Sequence, residues 1–242
     1  MRKYRLWFDG PLYEKGQVIA LEGNEVIYLS SVLRAKPGME IALFNEKSGE
    51  WRAVIKSVSR VCVCCELMER YSSRISVYHG LDVVIPLIRP QLVEDMVAMA
   101  TQCGVQKIFI VRMDRSQNYT IRLDRLSKII RESVEQCGRL RIPTVVTEAN
   151  LRDAVLESPN SKVIVGAEKN PVGIGRNLTN HSYPLNQKSL LIVGPEGGFS
   201  QEEWAFFHET NAELVHVNTP IMRAETALPV LIGYILGRST AH

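Results

Sequence analysis

The sequence predicts an α/β protein in which a small, β-rich, barrel-like module precedes a larger domain built on a parallel sheet. Three observations predict it. Leu190-Leu191-Ile192-Val193 is an aliphatic run without a polar break, the pattern of a strand buried on both faces. From Val83 onward, short aliphatic runs alternate with stretches of helical spacing, which is the rhythm of βαβ units. The first seventy or so residues instead carry strand-like runs separated by turn chemistry, with one short helical stretch.

Taken in order, Asn24 is expected to cap a helix reaching Leu33, with Val26, Ile27, Leu29, Val32 and Leu33 on its apolar side. Gly38 to Phe44 and Glu50 to Lys56 flank the turn residues Asn45 to Gly49 and read as a hairpin. Val61 to Leu67 offers another strand. The polar cluster Glu69 to Arg74 then marks a boundary, dividing the chain into residues 1–72 and 73–242. Beyond it, strands at Val83 to Ile85 and Lys107 to Val111 alternate with helices at Gln91 to Cys103 and Leu123 to Cys137, stopped by Gly104 and Gly138. The first of these helices has Leu92, Met96, Met99, Ala100 and Cys103 at helical spacing. Thr144 to Val146, a helix over Leu151 to Leu156, and Val163 to Gly166 continue the alternation. A stretch without periodicity from Glu168 to Gln187 is long enough to be a functional or mobile loop. After Leu190 to Val193 come a helix over Gln201 to Thr210, a strand over Leu214 to Val217, and a last helix to Leu236 capped by Thr226, with Pro229 in its first turn.

Composition narrows the class. Hydrophobic residues at 45% and charged residues at 23% are ordinary for a globular protein, and no apolar run approaches the ~20 residues of a membrane span. Asp9 and Gly10 interrupt what would be a signal sequence, so a cytoplasmic protein is expected. The five cysteines, Cys62, Cys64, Cys65, Cys103 and Cys137, include no C-x-x-C pair; buried thiols are expected and no metal site is indicated. The net charge is only +3, but nine Lys or Arg face four Asp or Glu between Lys107 and Arg141, while Gly194 to Met222 holds no Lys or Arg at all. A basic region that touches phosphates and a separate neutral or acidic loop fit this distribution, the alternative being a solvated helix face.

Two segments carry chemistry. Gly194-Pro195-Glu196-Gly197-Gly198-Phe199 follows the buried strand, and Ser200 with Glu203 forms the capping box of the next helix. In open α/β sheets ligands bind at this end of the strands. Walker loops add Lys and Ser or Thr to neutralise phosphate, whereas this loop has Glu196 with Glu202 and Glu203 behind it. A neutral or cationic guest fits better, and S-adenosyl-L-methionine, with its sulfonium and ammonium charges, is such a molecule. A tight connection without ligand is the alternative. The second segment, Ile221-Met222-Arg223-Ala224-Glu225-Thr226, sets Arg223, Glu225 and Thr226 between a strand and a helix start, where they either converge on a ligand or form a charged, capped helix end. Gly173-Ile174-Gly175 resembles the start of a dinucleotide fingerprint but has Leu178 in the third glycine position and reads as linker.

Gly194 to Ser200 followed by Ile221 to Ala227 resembles the paired C-terminal signature of the RsmE family, SPOUT-class methyltransferases that modify N3 of uracil-1498 in 16S ribosomal RNA. Glu135-Gln136-Cys137-Gly138-Arg139 with Ile142-Pro143, Asp114-Arg115-Ser116, Val32-Leu33-Arg34 before Pro37-Gly38, and Arg5 extend the likeness along the chain. Arg89-Pro90 and Val217-Asn218 stand where the family has Lys-Gly and Leu-Gly. The resemblance implies a PUA-like β-barrel followed by a SPOUT domain with a C-terminal trefoil knot, and a homodimer acting on 16S ribosomal RNA or the small ribosomal subunit. It implies cofactor contacts from Val193, Gly194, Glu196, Gly197, Gly198, Val217, Asn218, Ile221, Met222, Arg223 and Thr226. Arg223 and Glu225 are the expected catalytic residues, and Arg5, Arg34, Arg89, Arg115 and Arg139 the expected RNA contacts. A SPOUT methyltransferase of another RNA such as transfer RNA, or a non-catalytic RNA-binding or ribosome-assembly protein of the same fold, would share these features.

Overall fold

The computed structural model describes residues 4–71, 80–167, 188–215 and 221–237. In chain order the elements are β1 (Tyr4–Trp7), β2 (Val18–Glu22), α1 (Asn24–Ile27), β3 (Glu40–Asn45), β4 (Gly49–Val58), β5 (Cys62–Arg70), β6 (Leu81–Pro86), α2 (Pro90–Gln102), β7 (Lys107–Val111), α3 (Leu123–Cys137), β8 (Thr144–Ala149), α4 (Leu151–Leu156), β9 (Lys162–Gly166), β10 (Ser189–Val193), α5 (Gln201–Glu209), β11 (Glu213–Val215) and α6 (Ala224–Gly237). They divide into two units. One comprises the described residues up to Tyr71 together with Val134–Ile142, and the other the remainder. No single cut in the sequence yields this division, because the last turn of α3 belongs by its contacts to the first unit.

The first unit is a five-stranded sheet in the order β1-β3-β4-β5-β2. β3, β4 and β5 form an antiparallel meander around the expected hairpin, with Gly49 at φ +75° closing the turn. Asn45 holds that corner: its amide donates to the carbonyls of Phe8 and Gly10 at 3.0 and 2.9 Å, and its Oδ1 accepts the Ser48 N–H at 2.7 Å. Period-two alternation places Ile19 and Leu21 of β2 with Ile41, Leu43, Ile55, Val63 and Leu67 in one core. β1 and β2 escaped the sequence reading. β1 has only four residues, and it pairs in parallel with β3, a long-range choice that no local signal encodes.

The first helix departs from expectation. Gly23, not Asn24, occupies the N-cap with φ +64°, and after one α-turn the backbone widens into a π-helical turn over Tyr28–Val32, with the Leu33 N–H donating to the Tyr28 carbonyl at 3.1 Å. The wider turn rotates the buried face, so Val26 and Leu29 are buried while Ile27 and Val32 are 61% and 65% exposed.

Arg5, expected as an RNA contact, is 8% exposed and meets Glu50 at 3.0 Å, over the Phe44 ring at 4.0 Å. Its remaining N–H groups donate to the carbonyls of Val134, Glu135, Gly138 and Arg139 at 2.9 to 3.3 Å. The carbonyls of Val134 and Glu135 are orphans of the last turn of α3, and those of Gly138 and Arg139 lie just past it, where Gly138 takes φ +89°. The guanidinium therefore caps a helix. Glu135 closes the arrangement by accepting the Trp7 N–H at 2.9 Å.

The second unit is a six-stranded, wholly parallel sheet in the order β11-β9-β10-β6-β7-β8 among the described residues. β10 lies between β9 and β6, every residue buried, as its unbroken aliphatic sequence predicts. α2 begins with Pro90 at its first position, where a missing N–H costs nothing, and buries the expected Met96 and Ala100 together with Val93 and Val97, while Leu92, Met99 and Cys103 are half-buried. α3 and α4 keep the expected ranges. α6 begins earlier than the sequence suggests. The Arg223 carbonyl accepts the N–H groups of Thr226 and Ala227 at 3.0 and 2.8 Å, so Arg223 holds the cap position, Thr226 lies exposed in the first turn, and Pro229 falls inside the helix. Pro229 cannot donate to the Glu225 carbonyl.

Of the cysteines, Cys65 is buried, Cys137 is exposed, and the other three are intermediate. Burial pushes the Cys65 thiol up to about 12. At about pH 8, iodoacetamide is expected to label Cys137 first and Cys65 only on unfolding, as read by peptide mass; equal rates would contradict this burial.

Candidate functional site

The parallel sheet presents the carboxyl ends of β9 and β10 side by side, with Val193 in register with Gly166. Both strands end in the same three letters, Ile164-Val165-Gly166 and Ile192-Val193-Gly194. The two glycines let the chain leave the sheet without side chains, and a cleft of about 1070 Å³ opens there. Its floor is the run from Val193 to Phe199, its sides include Gly166, Ala167, Trp204 and His208, and α6 contributes Ala224 and Ala227.

The glycine loop is rigidly supported. Phe199 is buried and packs edge-on to Phe207 and Trp204, with ring centroids 4.9 and 5.4 Å apart. A Cβ on Gly194 would sit 2.8 Å from the Phe199 ring, and one on Gly166 would sit 2.4 Å from Leu231. Gly198 adopts φ +69°, and its N–H donates to the Pro195 carbonyl at 2.9 Å to close a turn. The capping box read from the sequence forms: the Glu203 N–H donates to Ser200 Oγ at 3.1 Å and the Ser200 N–H to Glu203 Oε2 at 2.8 Å. Gly194→Ala is expected to cost about 1–3 kcal/mol in a urea titration, because the ring it meets is itself hemmed in. An unchanged midpoint would mean the ring yields freely.

The cleft has Glu196 and Glu209 among its lining, with Arg115 as the one Lys or Arg lining it among the described residues. The described residues contain no group of three or more His, Cys, Asp or Glu that could hold a metal ion. The chemistry of this donor set is backbone amide and carbonyl, small apolar surface and carboxylate. It fits a flat, partly cationic organic molecule better than a phosphate.

Residues 78–236 match the RNA methyltransferase domain family. The chain belongs to that family. Among the relatives of this RNA methyltransferase, ribosomal RNA small subunit methyltransferase E of Rickettsia conorii is 27% identical over 236 residues, 97% of this chain and 96% of its own length. Among solved structures, a putative methyltransferase of Legionella pneumophila in complex with bound SAM is 24% identical with a TM-score of 0.84 over 100% of both chains. A ribosomal RNA small subunit methyltransferase E of Neisseria gonorrhoeae, bound to S-adenosyl methionine, is 22% identical with a TM-score of 0.85 over 98% of both. These two establish the α/β fold with its parallel sheet.

Of the expected cofactor residues, Val193, Gly194, Glu196, Gly197 and Gly198 line the cleft. Ile221, Met222, Arg223 and Thr226 flank the lining residue Ala224 without being part of the lining, and Ile221 is 78% exposed. Val217 and Asn218 lie outside the described residues, as does the Gly173 to Leu178 segment. Glu225 has one carboxylate oxygen buried without a hydrogen-bond partner among the described residues. The expected RNA contacts differ in their surroundings. Arg34 is exposed with φ +50°, Arg89 is exposed at the α2 N-cap, and Arg115 is exposed but bonded to the glycine loop. Arg139 is half-buried, and burial pulls its pKa below the ordinary arginine value. The sequence reading missed Gly166, Ala167, Trp204, His208, Ala224 and Ala227. The repeated Ile-Val-Gly strand endings were the one signal that pointed to Gly166.

Proposed function

We propose that this RNA methyltransferase transfers a methyl group from S-adenosyl-L-methionine to N3 of a uridine, U1498, in the 16S RNA of the small ribosomal subunit. The observation that carries this reading is the cleft lined by the glycine loop, Glu196 and Glu209 at the carboxyl ends of β9 and β10, with Ala224 of α6 among its lining. The near full-length likeness to relatives named ribosomal RNA small subunit methyltransferase E supports the choice of substrate.

The cofactor, when bound, supplies an electrophilic methyl group. The backbone of Val193 to Gly198, with Val217, Asn218, Ile221, Met222 and Thr226, would hold it, and Glu196 would favour its positive charge. A uridine N3 is a weakly acidic imide that must lose its proton before or during attack, with negative charge spreading onto the flanking carbonyls. Arg223 would stabilise that charge, and Glu225, one of whose carboxylate oxygens is buried with no hydrogen-bond partner among the described residues, would accept the proton or hold the ammonium group. Residues 1–72 serve as a PUA-like barrel and residues 73–242 as a SPOUT domain with a C-terminal trefoil knot, working as a homodimer in the cytoplasm. Arg34 and Arg89 with Arg139 supply phosphate contacts, so RNA affinity falls steeply with salt.

The test is mass mapping of 16S ribosomal RNA from cells with and without the gene, together with methylation of purified small subunits in vitro. A uridine that loses its N3-methyl group in the deletion and regains it on addition of the protein is the expected result. Unaltered ribosomal RNA with a changed transfer RNA would move the substrate to the latter.

A further inference from the structure

The glycine loop is held from a distance by two residues that follow β7. Asp114 and Arg115 lie 82 to 89 positions before their partners, yet they bracket the loop. Ser200 Oγ donates to Asp114 Oδ2, and the Asp114 N–H donates to Glu203 Oε1 at 3.1 Å, so the capping box of α5 is tied to the end of β7 by both of its members. Arg115 Nη1 donates to the Gly197 carbonyl at 2.8 Å. A Cβ on Gly197 would come within 3.2 Å of the Arg115 Cβ, so the absent side chain is what lets the arginine stem lie against the loop. The same peptide plane carries the Gly198 N–H, which closes the Pro195 turn. Fixing the Gly197 carbonyl therefore fixes the orientation of the loop from Pro195 to Gly198. Ser116 steadies the support in turn, its Oγ accepting the Met113 N–H at 3.1 Å.

We propose that Asp114 and Arg115 are positioning residues for the cofactor loop, and that Arg115 serves S-adenosyl-L-methionine binding rather than RNA binding. The assignment rests on the cofactor reading above. Its physical reason is that an exposed glycine-rich turn samples many backbone states, and a charge-assisted hydrogen bond to one carbonyl selects the state whose backbone groups face the cleft. Phosphate binding would have to compete with that bond and with the carboxylates of the loop.

The full chain, wild type and with Arg115→Ala or Arg115→Lys, is titrated calorimetrically with S-adenosyl-L-methionine in the absence of RNA. Arg115→Ala is expected to weaken binding about ten-fold, with KM for the cofactor rising in step and kcat at saturating cofactor little changed. Arg115→Lys restores most of the loss, because a single donor replaces a single donor. Thermal melts confirm that both variants fold, and Ser200→Ala, which removes the donor to Asp114, weakens cofactor binding in the same direction. Unchanged cofactor affinity in Arg115→Ala, with RNA affinity lowered and its salt slope reduced by about one, overturns the assignment in favour of a phosphate contact. A wild-type chain that binds no cofactor overturns both this assignment and the reading beneath it.

Discussion

Replacing Arg223 by alanine is expected to lower methyl transfer about 100- to 1,000-fold, while affinity for S-adenosyl-L-methionine stays within about three-fold. The backbone of Arg223 is fixed by its place in the fold, since its carbonyl opens α6 through bonds to Thr226 and Ala227. Its neighbour Ala224 is buried and lines the cleft. In the proposed mechanism its guanidinium would meet the charge that develops on the uracil carbonyls only during transfer, and losing an interaction made only then lowers kcat rather than binding. Arg223→Lys would keep the charge and lose the planar fork, so intermediate activity is expected. Collapse of cofactor affinity with normal residual turnover would instead make Arg223 a binding residue.

Arg5→Ala is expected to destabilise the protein by about 3–5 kcal/mol, the usual cost of removing one member of a buried ion pair. The mutation removes the ion pair to Glu50, which is 4% exposed, and takes one donor away from four carbonyls at and just past the end of α3. Arg5→Lys should recover little, because one ammonium cannot serve the carboxylate and the spread of carbonyls together. Urea unfolding followed by circular dichroism reads the effect. Wild-type stability with a selective loss of RNA affinity would restore Arg5 to the RNA surface. The same sequence feature, a lone arginine in a short strand, fits both roles; only the partners 129 to 134 positions away separate them.

The legible parts of this fold are those whose physics is local. β7, α3 and α4 agree with the reading residue for residue, because each is a complete aliphatic or amphipathic run bounded by its own stop, such as Gly138 after α3. The capping box at Ser200 and Glu203 was equally legible, since its two hydrogen bonds join residues three apart. Where the reading slipped, a nonlocal or geometric term intervened. The π-helical turn moved the buried face of the first helix away from Ile27 and Val32, and α6 opened at Arg223 rather than Thr226 because a backbone carbonyl, not a hydroxyl, made the cap.

The sequence by itself determined a buried parallel strand ending in a glycine loop, the acidic character that argues against phosphate, and the second polar segment that starts the last helix. Each follows from residue types within a few positions of one another. Only the tertiary structure decided that Gly166 pairs with Val193, next to Gly194, at adjacent strand ends, that Arg115 grips the Gly197 carbonyl, and that Arg5 caps a helix. Those outcomes depend on the order of strands in two sheets, and strand order is chosen by burial summed over a whole unit, which no short stretch of residues carries.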